Sequence, residues 1–98
     1  MLEKEIEQYL CKQVKELGGL CEKFTSPANR SVPDRLVTLP HGLMLLVECK
    51  SPTGVVSKAQ QHDHETRFKL GVQVNVLSSK DEVDKFIFDC KEFIDHES

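Results

Sequence analysis

The chain has 98 residues, a hydrophobic fraction of 39%, a charged fraction of 30% and a formal net charge of −3. That length sets one domain, residues 1–98, with a modest core, and such a small core often leans on a second copy. The negative balance excludes a globally basic nucleic-acid binder, and the lack of Trp with a single Tyr leaves no evident platform for stacking bases.

The opening "MLEKEIEQYL" lacks the basic start and apolar stretch of a signal peptide, and the longest apolar run, residues 43–47, is far too short to span a bilayer. The four cysteines, at 11, 21, 49 and 90, form no Cys-x-x-Cys pair. The expectation is a cytoplasmic protein with free, mostly buried thiols, no membrane partner and no organic cofactor.

Residues 2–17 predict an amphipathic helix, because Leu2, Ile6, Leu10, Val14 and Leu17 recur at spacings of three and four. Gly18-Gly19 stops it. Glu3 and Glu7 fall on or beside the apolar stripe, an unusual place for acids, while Glu5 points away. "LCEKF" (20–24) reads as a short strand, and "TSPANRSVP" (25–33) as a loop. "DRLVTL" (34–39) is a second strand, ended by a tight turn at Pro40-His41-Gly42.

"LMLLVECK" (43–50) is a third strand, and its near-continuous apolar run predicts a central position covered on both faces. Ser57 caps a helix over 58–70, ended by Gly71. "VQVNVL" (72–77) alternates as a strand, and Ser79 caps a last helix over 80–94 with Val83, Phe86, Ile87, Cys90 and Ile94 on one face. The closing "DHES" is expected to fray. The order is α-β-β-β-α-β-α, an α/β fold with a mixed sheet flanked by helices.

The short turn makes the second and third strands antiparallel, so the start of one lies beside the end of the other. Asp34 and Glu48 then share a neighbourhood although they lie fourteen positions apart in the chain. Glu48 and Lys50 leave the same face of their strand. Two close carboxylates repel unless a cation compensates them, and hard oxygen ligands suit Mg²⁺ or Mn²⁺. A lysine on the same face can orient or help deprotonate a water, or offset phosphate charge. Together these are parts for metal-assisted phosphodiester hydrolysis. Taken singly, Asp34 after Pro33 is also an ordinary turn residue, and Glu48 and Lys50 an ordinary exposed strand end.

"PDR…ECK" resembles the PD-(D/E)xK nuclease superfamily, with its restriction-endonuclease-like core. The chain is most similar to the small stand-alone VRR-NUC group, often phage-encoded and similar in layout to Holliday-junction resolvases. The likeness spans "EIEQYL", the "GGL" break, "SVPDRLV", "VECKSPTG", "SKAQ" and "KLGVQV". It departs from the commonest form at Ser31, where Gly is frequent, and at Cys49, where an apolar residue is usual.

The resemblance implies that Asp34 and Glu48 are metal ligands, with the Cys49 backbone carbonyl as a third, and that Lys50 acts on the attacking water. It implies that Gln60 supports the site, with Gln61 a weaker candidate, and that Glu7 reaches the metal through water, with Glu3 as the fallback. It also implies 5′-phosphate and 3′-hydroxyl products, a homodimer and branched DNA as substrate. Arg30, Arg35, Lys58 and Lys23 flank the proposed site and are candidates for backbone phosphates, or equally for ordinary loop solubility. His62 and His64 sit two apart on a helix, face different directions and read as solvated surface, or as DNA-backbone contacts. A non-catalytic nucleic-acid-binding module and a sequence-specific restriction enzyme remain as alternative functions.

Overall fold

The computed structural model describes residues 1–97. Its elements follow the expected order: α1 (Glu3–Glu16), β1 (Leu20–Lys23), β2 (Arg35–Leu39), β3 (Leu43–Cys49), α2 (Lys58–Lys69), β4 (Val74–Leu77) and α3 (Lys80–Glu97). Pro40–Gly42 forms a 3₁₀ turn between β2 and β3. Capping behaves as the side chains demand. Ser57 Oγ accepts the Gln60 amide at 3.1 Å, and Ser79 Oγ accepts the Glu82 amide at 3.1 Å.

Most element ends fall within one residue of expectation, and two differ by more, for local reasons. Strand β4 begins at Val74 rather than at residue 72, because the Val72 amide closes the end of α2 on the Arg67 carbonyl at 2.9 Å. Gly71, at φ +92°, makes that left-handed closing step. Helix α3 runs on through Glu97, so Asp95, His96 and Glu97 are helical rather than frayed; Ser98 lies outside the described residues.

The strands lie in the order β1-β2-β3-β4, with β1, β2 and β3 antiparallel and β4 parallel to β3. Register sorts their side chains. Cys21, Val37 and Leu45 stand side by side on one face, and Val47, Cys49 and Leu77 continue that face. Helices α1 and α3 cover it, burying Ile6, Leu10, Val14, Val83, Phe86 and Cys90. Tyr9 of α1 donates its hydroxyl hydrogen to Asp84 of α3. Cys11 and Cys21 bring their sulfurs to 2.7 Å between α1 and β1. Gly19 lets the chain leave α1 close over β2, since a Cβ there would stand 2.6 Å from the Thr38 carbonyl.

The opposite face carries the row Leu20–Thr38–Met44, the row Leu36–Leu46–Val74, and Glu48 beside Val76. Helix α2 covers only part of it, against β4. Leu20 and Met44 are therefore 59% and 58% exposed. Strand β3 is covered on both faces only at its end, Val47–Cys49, and not along its whole length as its apolar run suggested.

Helix α2 buries no apolar residue. Its inward positions are Gln60, Asp63, His64 and Arg67, which share one stripe by helical spacing. Asp63 accepts from Asn29 Nδ2 at 2.9 Å and from Arg67 Nε at 2.7 Å, and the Arg67 guanidinium stands 5.5 Å from the centroid of the Phe24 ring. These contacts fasten the 25–33 loop to α2, and that loop delivers Asp34 to the end of β3.

Candidate active site

Asp34 precedes β2, and Glu48 and Cys49 close β3, so the antiparallel pairing brings them together. The Cys49 amide donates to Asp34 Oδ2 at 2.9 Å, which fixes that carboxylate across the strand ends. Glu48 is 1% exposed, because strand alternation turns it away from the α1–α3 core and under α2. Its carboxyl lies within hydrogen-bonding reach of Asp34. Burial first, and then Asp34, push the Glu48 pKa up to about 8, with Lys50 partly opposing them. Glu48 Oε1 has no hydrogen-bond partner, a rarity for a buried oxygen. Asp34 and Glu48 could together hold a hard divalent cation, which would compensate the paired acids.

The N-terminal helix adds two more acids. Oxygens of Glu3, Glu7 and Asp34 all lie within 4.8 Å of one another. Both Glu3 and Glu7 thus face the same place, and α1 presents them one turn apart. Asp34 and desolvation raise the Glu3 pKa, with desolvation the larger cause. Glu7 also takes Arg35 Nη2 at 3.3 Å. Arg35, also a candidate for phosphate contact, is 17% exposed and engaged in that ion pair.

A cavity of about 400 Å³ opens over these acids, lined by Glu3, Glu7, Lys23, Phe24, Thr25 and Asp34. A second, of about 270 Å³, adjoins it through Phe24, Thr25 and Asp34 and reaches Asn29 and Arg30. Lys23 and Arg30 accordingly flank the acids along one groove. Lys58 is exposed at the first residue of α2.

Lys50 is partly buried, and its charge acts on Glu48, Glu3 and His64. Gln60 uses its side-chain oxygen to accept the Ser57 amide at 2.9 Å, so it locks the start of α2 beside the 51–57 loop. Gln61 Nε2 donates to the Val56 carbonyl at 3.1 Å.

The histidines divide. His62 is exposed, as expected. His64 is not solvated surface: its side chain is 17% exposed, with Nε2 at 3.8 Å from Glu48 Oε1. The pattern of α2 marks no inward face; the one hint was spacing, since His64 lies at i+4 from Gln60 and shares its side of the helix.

A solved VRR-NUC domain superposes on 89% of this chain and 96% of its own length, with a TM-score of 0.79 and 32% identity. A protein of Acyrthosiphon pisum secondary endosymbiont phage 1, named "Putative nuclease p44", is 47% identical over 79 residues, covering 81% of this chain and 85% of the relative. The chain belongs to the VRR-NUC domain family. No family model matches it. The family assignment thus rests on a fold match and a close relative. Within this VRR-NUC domain, "EIEQYL", "SVPDRLV", "VECKSPTG" and "SKAQ" meet at one end of the sheet, whereas "GGL" and "KLGVQV" lie towards the other.

Proposed function

We propose that this VRR-NUC domain is a divalent-metal-dependent endonuclease that hydrolyses DNA phosphodiester bonds. The observation that carries the reading is the meeting of Asp34 and Glu48, with a buried Glu48 oxygen left without a partner and Lys50 on the same strand face. Asp34, Glu48 and the Cys49 carbonyl would hold Mg²⁺ or Mn²⁺, and Glu7, backed by Glu3, would reach it through water. Such an ion, when bound, polarises the phosphate and acidifies a water.

The remaining steps belong to the chain. Lys50 orients the attacking water and offsets charge on the phosphate. Gln60 steadies the start of α2 over the site. Arg35 holds Glu7 in place. Arg30, Lys23 and Lys58 grip backbone phosphates locally, which suits a chain whose net charge is −3.

Branched DNA cut by a homodimer is the finer form of the reading. A twofold pair places two such sites on two strands of a symmetric junction. The half-covered sheet face around Leu20 and Met44 supports a partner copy. Among the described residues no helix is long and apolar enough to cross a membrane. The proposed setting is the cytoplasm of a bacterial or phage-infected cell.

The test is a nicking assay on plasmid, linear duplex and four-way junction with Mg²⁺, Mn²⁺ or EDTA. Cutting is expected with metal, strongest on the junction, and lost in EDTA. Asp34→Ala and Lys50→Ala lower it on the order of 10³-fold or more while the fold survives. DNA binding with no metal-dependent cutting would establish instead a non-catalytic module. Cutting at one short sequence on linear duplex would point to a restriction enzyme.

A further inference from the structure

Among the described residues three side-chain atoms are buried without a hydrogen-bond partner: Arg35 Nε, Glu48 Oε1 and His64 Nε2. The last two face each other at 3.8 Å. Buried polar atoms are nearly always paired, so two orphans turned towards each other call for an explanation. A shift of less than about 1 Å brings them to hydrogen-bonding distance, with the imidazole N–H donating and the carboxylate accepting.

We propose that His64 is a positioning residue for the Asp34–Glu48 pair: its Nε2–H holds Glu48 Oε1 and sets the carboxylate in its ligand orientation. The inference rests on the nuclease reading above and deepens it. Asp34 lies within hydrogen-bonding reach of the Glu48 carboxyl, and His64 Nε2 faces its Oε1 at 3.8 Å. A carboxylate held by one partner alone turns about its last torsion, and a second partner removes that freedom. Helix α2 gives His64 a fixed base, since Asp63 ties the same turn to Asn29 and Arg67. The inward stripe of α2 therefore reaches the site twice, through Gln60 at its first turn and His64 at the next.

The experiment is Mn²⁺ titration by calorimetry on the full chain, for wild type, Asp34→Ala, His64→Phe, His64→Asn and His64→Gln. Phenylalanine keeps the ring and removes the donor. Glutamine returns an N–H near the place of Nε2, and asparagine stops short of it. His64→Phe and His64→Asn are expected to weaken Mn²⁺ binding about 10- to 100-fold with an unchanged melting temperature, and His64→Gln to return it to within about threefold. Should the phenylalanine variant fail to fold, the Gln–Asn contrast decides alone.

Equal Mn²⁺ affinity across wild type and the three His64 variants, with Asp34→Ala lost, overturns the role of His64 and leaves the nuclease reading standing. Wild type that binds Mn²⁺ with the expected Gln–Asn contrast, yet cuts no DNA, overturns the nuclease reading and keeps the positioning role. Wild type that binds no Mn²⁺ overturns both.

Discussion

Helices α1 and α2 lie on opposite faces of one sheet and are built on opposite terms. Helix α1 turns Ile6, Leu10 and Val14 inward and places its acids, Glu3 and Glu7, at the end nearest the site. Helix α2 turns Gln60, Asp63, His64 and Arg67 inward and leaves Phe68 69% exposed. One helix holds the sheet by burying apolar surface, the other by hydrogen bonds and ion pairs. The apolar side supplies stability, and the polar side leaves charged groups next to chemistry.

The largest way to sharpen that contrast is Leu10→Ala. It opens a cavity in the α1 core, and equilibrium denaturation is expected to show a loss of about 3 kcal/mol. A loss under 1 kcal/mol would break the claim that this side carries the fold.

Next is the acid pair. An acid whose pKa is raised on folding favours the fold fully below its ordinary pKa, near 4.5, and loses that contribution as pH rises towards its folded value of about 8. The metal-free protein is therefore expected to lose stability across that window through Glu48. Glu48→Gln removes that loss and stabilises the metal-free protein at pH 7 by on the order of 2 kcal/mol. Melting curves of the two proteins from pH 4.5 to 8 check it, since their difference isolates Glu48 from the other titrating groups. Added Mn²⁺ should raise the wild-type melting temperature more at pH 8 than at pH 5.

Asp63→Ala probes the polar helix. It strips Asn29 and Arg67 of their shared acceptor and is expected to cost about 1–2 kcal/mol. Proteolytic nicking of the 25–33 loop should increase with it, because that loop is fastened there. The smallest effect is Phe68→Ser, outside any core, with a stability change within about 0.5 kcal/mol. A dimer closed over this end of the sheet would reveal itself by a larger loss.

Much of the framework was legible in residue order. Apolar spacing marked α1 and α3, and Ser57, Ser79 and Gly71 marked helix ends, because caps and periodicity are local properties. The short Pro40–Gly42 turn was enough to put Asp34 beside Glu48, since it fixes both strand direction and register. Residue order named Glu7 first and Glu3 as the fallback; one turn of helix brings both within reach of Asp34. Residue order did not show that Arg35, a candidate for phosphate contact, pairs with Glu7 from another element.

What residue order alone determined, then, is the order and approximate span of the elements and that two acids meet at a strand end beside a lysine. Only the tertiary structure decided which face of α2 is buried. Nothing in that helix's own pattern states it, since it has no apolar stripe, and the crossover from β3 to β4 lays it over Glu48. His64 became part of the site for that reason: a polar side chain takes its role from what it is packed against, and packing is settled between elements distant in the chain.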